Sequence, residues 1–96
     1  MINIIDTKIK DVKIIEPQVY KDGRGYFFES YNEKEFHNKI GKINFVQDNE
    51  SFSKFGTLRG LHFQKNPYEQ SKLVRVIKGE IQDVVVDIRI ESLTYL

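Results

Sequence analysis

Apolar and polar residues alternate along this chain in short runs, and the spacing becomes helical at only one place. Val12–Glu16 is apolar-rich and stops at Pro17, as an early strand does when it meets a residue that cannot donate to a ladder. Lys21-Asp22-Gly23 reads as a turn, and the aromatic run Gly25–Tyr31 reads as a strand. Asn32 then opens the one convincing helix, near residues 32–40: its side chain suits the N-cap, and Glu35 stands where a capping-box partner belongs. Phe36 and Ile40 share a face of that helix, and Gly41 is a good stop. Strand-like runs follow at Ile43–Asp48, Leu58–Gln64, Lys72–Lys78 and Ile81–Ile90, the last two joined by a tight turn at Lys78-Gly79-Glu80. In the last run Val84, Val86, Ile88 and Ile90 fall on one face, and Asp83, Asp87 and Arg89 on the other. The pattern predicts an all-β sandwich or barrel with one short helix.

Composition narrows the class. Ninety-six residues make one domain at most. A chain of this size buries only about 60–65% of the surface that its unfolded form exposes, so its stability is marginal without help. Twelve Phe and Tyr residues, no Trp and abundant Ile and Val favour strands. The absence of cysteine excludes disulfides and thiolate metal ligands. The net charge of +1, with both signs interleaved, argues against nucleic acid as a partner. No apolar run approaches the ~18 residues of a membrane span. The opening MINIIDTKIK lacks the apolar core and small-residue cleavage site of a secretory signal, so a soluble cytoplasmic protein is the simplest expectation.

The chemistry concentrates between Gln47 and Gln64, QDNESFSKFGTLRGLHFQ, with Lys72 a short way downstream. Removing a proton from carbon next to a ketone needs a base with a pKa near neutral and a group that stabilises the enolate. His62 is the plausible base, since His37 is expected on the polar side of the helix. Taken alone, a strand histidine is more often a residue with a satisfied hydrogen bond than a base, and a lysine at a strand edge is usually just solvated. Arg24 and Arg59 suit either a structural carboxylate or the bidentate clamping of a diphosphate. Gln47 and Asn49 share a strand face and suit either a base or sugar hydroxyls, or simply the backbone of a turn. Arg59 and His62 have opposite parity, so a regular strand points them to opposite faces. Either a bulge at Gly60 re-aims one of them, or Arg59 serves a neighbouring subunit.

These residues carry a resemblance. The stretch Gln47–Gln64, with Asp22-Gly23-Arg24-Gly25 and Phe28-Glu29 upstream and Lys72-Leu73-Val74 downstream, resembles the cupin-type nucleotide-sugar epimerases of the dTDP-4-dehydrorhamnose 3,5-epimerase family. It runs from about Ile4 to about Thr94 and covers only the first part of that family's fold. It implies a cupin-type jelly roll, incomplete here: residues 1–96 are expected to form the N-terminal part of a single epimerase domain whose C-terminal part is absent. A jelly roll needs about eight strands and the pattern gives five or six, leaving edges that invite another chain.

For the site, the resemblance makes His62, in Leu58-Arg59-Gly60-Leu61-His62, the general base at C5 and C3 of a dTDP-linked 4-keto sugar. It places Lys72 near the keto oxygen, and Arg24, Glu29, Gln47, Asp48, Asn49 and Arg59 at ligand-binding positions. It also implies homodimers whose N-terminal strands exchange, here through Ile2–Ile5. The family's general acid, a tyrosine, and the carboxylate that orients the histidine belong to the second half. Tyr26, Tyr31, Tyr68 and Tyr95 do not match the acid's place, so the 96 residues alone are expected to be inactive.

Many cupins hold a metal through glycine, five residues, His-x-His and a nearby glutamate. Gly56 and His62 fit the start, but Gln64 replaces the second histidine and is a poor transition-metal ligand, and Glu69 lacks the expected spacing. No metal and no cofactor is expected. Two other readings stay open at this level: a single-carbon or GDP-sugar epimerase, and a non-catalytic module that binds sugar nucleotides or serves assembly.

Overall fold

A computed structural model describes residues 1–96. The chain begins with an antiparallel hairpin of β1 (Ile2–Asp6) and β2 (Lys13–Pro17), in the register Ile2 with Pro17 and Asp6 with Lys13. Alternation sets its faces: Ile2 and Ile4 turn inward opposite Pro17 and Ile15, while Ile5 and Ile14 face out. At the end next to the connection Lys13 Nζ lies 2.6 Å from Asp6 Oδ1 across the pair. Thr7 closes the connection by donating to the carbonyls of Ile9 and Val12. The segment Ile2–Ile5, expected to join another sheet, thus has its β2-facing edge filled from within the chain.

A second, smaller hairpin pairs β3 (Tyr20–Asp22) with β4 (Gly25–Phe27) around Gly23-Arg24. The Asp22 carboxylate accepts the Arg24 backbone N–H at 2.8 Å and its guanidinium at 2.7 Å, which fixes the turn at Gly23-Arg24, later than the expected Lys21-Asp22-Gly23 because Lys21 and Asp22 belong to β3. The strand predicted over Gly25–Tyr31 ends early, at Phe27, because the chain leaves the hairpin to reach the cap of the helix.

Helix α1 (Glu33–Lys39) starts where its sequence predicts. Asn32 Oδ1 accepts the Glu35 N–H at 3.1 Å, while Glu33 and Glu35 in the first turn and His37 and Lys39 in the last complement the helix dipole. The return arm of the capping box is used elsewhere, since the Glu35 carboxylate meets the Met1 ammonium at 3.3 Å. Gly41 ends the helix at φ +147°, a conformation that residues with a Cβ avoid. Phe36 is buried, and Tyr31 meets it edge-on at 4.6 Å and Phe45 at 5.5 Å. Lys39 Nζ donates to the Ile2 carbonyl at 2.6 Å, tying α1 to β1. His37 is half-buried, with Nε2 3.4 Å from the Ile43 carbonyl, and does not stand free on a polar face as the sequence suggested.

From residue 41 onward the structure departs from the expected pattern. Ile43–Asp48, Leu58–Gln64, Lys72–Lys78 and Ile81–Ile90 form no strand ladder. Ile43 and Phe45 are half-buried while Lys42, Asn44 and Val46 are exposed, so the alternation of a strand survives there without its hydrogen bonds. Twenty-one backbone–backbone hydrogen bonds form in all, where a complete domain of this length makes on the order of 65. These runs have strand sequences, but their neighbours within the chain do not supply paired edges. The last run inverts its predicted faces. Val84, Val86, Ile88 and Ile90 are all at least two-fifths exposed, whereas Asp87 is buried. No second sheet covers the apolar face, and Asp87 collects enough donors to be held inside.

Those donors form the one cluster that joins the far end of the chain to its beginning. Asp87 accepts Nε and the amino group of Arg89 at 2.9 and 3.0 Å, the Thr94 hydroxyl at 2.7 Å, and the Ser92 hydroxyl. Arg89 also reaches Asp11 in the β1–β2 connection. The Asp87 carboxyl lies well below the usual carboxylate range, chiefly because the Arg89 guanidinium and then the two hydroxyls bond to its charged form. A depressed folded value gives stabilisation that is whole above the unfolded pKa of about 3.9 and is lost as the pH falls from there toward the folded value. Asp87→Asn is therefore expected to speed hydrogen exchange of the Leu96 amide, which donates to the Asp87 carbonyl at 2.8 Å. The effect should be roughly tenfold or more at neutral pH, and the difference from the unaltered chain should shrink below about pH 4.

Candidate active site

The eight residues singled out from the sequence are all exposed, and they fall into local groups. Arg24 sits in the β3–β4 turn with its guanidinium on Asp22, whose carboxyl it holds below the ordinary range. Glu29 lies between β4 and α1, and its Oε2 accepts the Asn32 side-chain amide at 3.0 Å. It lines a hollow of about 240 Å³ with Met1, Ile2, Gln18, Tyr20, Phe27, Asn32 and Glu35, smaller than the roughly 300–1,000 Å³ usual for ligand pockets. Arg24 lines a second hollow with Tyr20, Lys21, Asp22, Gly25, Tyr26 and Phe27. His62 and Lys72 line neither.

Gln47 and Asn49 lie together, with Nε2 of one 3.5 Å from Oδ1 of the other, although the strand whose face they were expected to share does not form. Asp48 between them makes no side-chain hydrogen bond within the chain. Arg59 Nε donates to the Ser53 hydroxyl at 3.0 Å, so its partner here is a neutral oxygen and not a carboxylate. That bond leaves the rest of the guanidinium fork available to an anion.

His62 is placed by Gly60. Gly60 has φ +90°, which interrupts the regular alternation between Arg59 and His62 and bears on the question their opposite parity raised. The imidazole folds back over this glycine: a Cβ on Gly60 would lie 3.1 Å from His62 Nδ1 and 3.3 Å from its backbone nitrogen. Gly60→Ala is therefore expected to displace the ring by a few tenths of an ångström and to cost about 1–3 kcal/mol through its backbone conformation. The ring proton signals of His62 in NMR, with a denaturation curve beside them, test both effects. The imidazole accepts no hydrogen bond from a protein group and donates none to a carboxylate within the chain. Lys72 lies outside any strand or helix, in the run before Gly79, and makes no ion pair.

Chemically the surface offers one imidazole, separate cations at Arg24, Arg59 and Lys72, and a carboxamide pair. No group of three or more His, Asp or Glu side chains converges as a metal would require. The sequence reading missed the importance of Asp87, placing it with Asp83 and Arg89 on the strand face opposite Val84, Val86, Ile88 and Ile90. The signal was the run of Asp87, Arg89, Ser92 and Thr94, whose short spacing favours local side-chain bonds over a ladder.

Known proteins place this arrangement in a class. The backbone superposes with a TM-score of 0.94 on the crystal structure of dTDP-4-dehydrorhamnose 3,5-epimerase from Bacillus anthracis, solved with TDP and PPi bound. That match is 48% identical in sequence and covers 99% of this chain and 55% of the other. The fold is thus that of the N-terminal portion of a nucleotide-sugar epimerase. The family model for dTDP-4-dehydrorhamnose 3,5-epimerase matches residues 6–96, and the chain belongs to that family. The enzyme of that name from Salmonella typhimurium is 56% identical over 96 residues, covering 99% of this chain and 52% of its own length. The one from Shigella flexneri is 55% identical over 94 residues, covering 97% and 52%. The chain therefore spans about half the length of the curated relatives it matches.

Proposed function

We propose that this chain is the base-bearing half of a dTDP-4-dehydrorhamnose 3,5-epimerase, acting on a dTDP-linked 4-keto-6-deoxyhexose without metal or cofactor. The observation that carries the reading is the family match across residues 6–96, which includes His62 in its Leu58–His62 setting. In the proposed reaction His62 takes the proton from C5, and later from C3. The C–H electron pair moves into the bond to C4, and the C4 oxygen becomes an enolate oxygen. Lys72 stabilises that oxygen by charge. A proton returned to carbon from the opposite face completes the inversion, and by resemblance a tyrosine of the family's second half delivers it.

Arg24 and Arg59 bind the diphosphate, in keeping with the exposed forks of both side chains and with the TDP in the Bacillus anthracis structure. Glu29, Gln47, Asp48 and Asn49 serve the remaining ligand contacts. The complete fold is a cupin-type jelly roll of which residues 1–96 form the N-terminal part. The assembled enzyme is a homodimer joined through the free edge of β1, working in the cytoplasm. No helix here is long and apolar enough to cross a membrane.

A hybrid tests this reading directly, with residues 1–96 of this chain replacing the matched half of the Salmonella typhimurium relative. It is expected to convert dTDP-4-keto-6-deoxyglucose to the epimerised 4-keto sugar, read by the proton couplings of the product. A folded hybrid that binds dTDP and leaves the substrate unchanged would remove the reading.

A further inference from the structure

Residue 23 is a glycine without a backbone reason to be one. Gly25, Gly41, Gly56, Gly60 and Gly79 all adopt positive φ; Gly23 does not, and a Cβ built on it meets nothing within 4 Å. An ordinary residue would therefore fit this turn. What the missing Cβ changes is the access to the peptide nitrogen. Asp22 alone among the aspartates and asparagines of the chain precedes glycine, so here nothing crowds the nitrogen that can attack the preceding side-chain carboxyl.

The turn presents this pair openly. Every residue of β3 and β4 is exposed, and the two strands pair only with each other. A two-stranded ribbon that short opens readily. The Asp22 carboxyl is folded forward over the turn, since Oδ1 accepts the Arg24 backbone N–H at 2.8 Å. That bond turns it toward the peptide that joins Asp22 to Gly23. One group opposes attack. The Arg24 guanidinium, 2.7 Å from Oδ2, fixes the carboxyl in one orientation and favours its ionised form, the poorer electrophile.

We propose that Asp22-Gly23 is a site of spontaneous isoaspartate formation, and that the Arg24 guanidinium slows it. The Gly23 nitrogen forms a bond to Asp22 Cγ and gives up its proton, a carboxyl oxygen departs as water, and a succinimide ring closes. Water then adds to either ring carbonyl. Breaking the bond from nitrogen to Cγ restores aspartate. Breaking the bond from nitrogen to the original main-chain carbonyl leaves the chain running through Cβ. One water leaves and one enters, nothing is oxidised, and the mass is unchanged. The isomer carries an extra methylene in its main chain, so the register of Asp22 with Gly25 is lost, and with it the setting of Arg24. Formation rests on the turn alone; a weakened grip on a diphosphate rests on the role proposed above for Arg24.

The test is incubation of the 96-residue chain at neutral pH for several weeks. Isoaspartate is read by methyl transfer from S-adenosylmethionine with an isoaspartyl methyltransferase, and placed in the sequence by electron-transfer fragmentation. Product is expected at residue 22 and not at Asp11-Val12 or Asp87-Ile88. Arg24→Ala should raise its rate of formation about two- to fivefold, the span expected when an exposed ion pair is lost. Gly23→Ala should remove most of the product, and the open space around residue 23 lets that variant keep the hairpin. High salt screens the pair without changing the sequence, so it should speed the unaltered chain and leave the Arg24 variant as it was. No isoaspartate at residue 22, an equal amount in the Gly23 variant, or no acceleration by either salt or Arg24→Ala would each overturn the proposal. If the aged hybrid holds the isomer yet binds dTDP as tightly as fresh protein, the modification site stands and the diphosphate role of Arg24 falls.

Discussion

His62→Asn in the hybrid is expected to lower turnover by roughly 10²–10⁴-fold while leaving dTDP binding unchanged, because a positioned general base contributes about that much and the proposed step acts on the sugar carbons. Asparagine keeps a polar side chain of similar reach on this exposed segment, so the substitution tests proton abstraction and not folding. Gly60 sharpens the comparison. A Cβ at this position would lie 3.1 Å from Nδ1, so Gly60→Ala should also reduce the rate, by less, with the imidazole present but displaced. If His62→Asn retains near-full turnover, the base lies elsewhere, and the assignment by family motif fails for this chain.

Lys72→Met should lower kcat of the hybrid by about 10²–10³-fold, the usual loss when one donor to a developing oxyanion is removed. KM should change little, because the charge matters most when the keto oxygen becomes an enolate and less in the bound substrate. Methionine preserves the length and apolar stem of lysine while removing its charge, so the effect reports electrostatics. Lys72→Arg should recover part of the rate, since the charge returns in a different shape. A change in KM with kcat untouched would instead make Lys72 a uniform binding residue, and the enolate role would have to be given up.

What could be read from the sequence depended on whether the deciding interaction was local. The helix at Glu33–Lys39 was legible because Asn32, Glu35, Phe36 and Gly41 act within one or two turns of each other. The turn expected at Lys21-Asp22-Gly23 was legible for the same reason, displaced toward Gly23-Arg24 because Lys21 and Asp22 extend β3. The runs Leu58–Gln64, Lys72–Lys78 and Ile81–Ile90 carry strand composition, but a ladder needs a partner edge, and composition does not say which residues provide it. The burial of Asp87 was not legible because period-two alternation only separates it from Val84, Val86, Ile88 and Ile90, whereas Arg89, Ser92 and Thr94 fold back to enclose it. The candidate site was recognisable only as a motif. The spacing of Arg59 and His62 posed a geometric conflict, and the +90° φ of Gly60 shows where regular alternation breaks.

The central claim is that this chain carries the base of a 3,5-epimerase. Solvent-deuterium incorporation tests it most directly, because wash-in reports proton abstraction whether or not inversion follows. The hybrid is incubated with dTDP-4-keto-6-deoxyglucose in D₂O, and C5 and C3 are followed by NMR beside the same hybrid carrying His62→Asn. The account predicts deuterium at both carbons with the unaltered hybrid and none above background with the variant. Equal wash-in by the two proteins, or none by a folded, dTDP-binding hybrid, would contradict it.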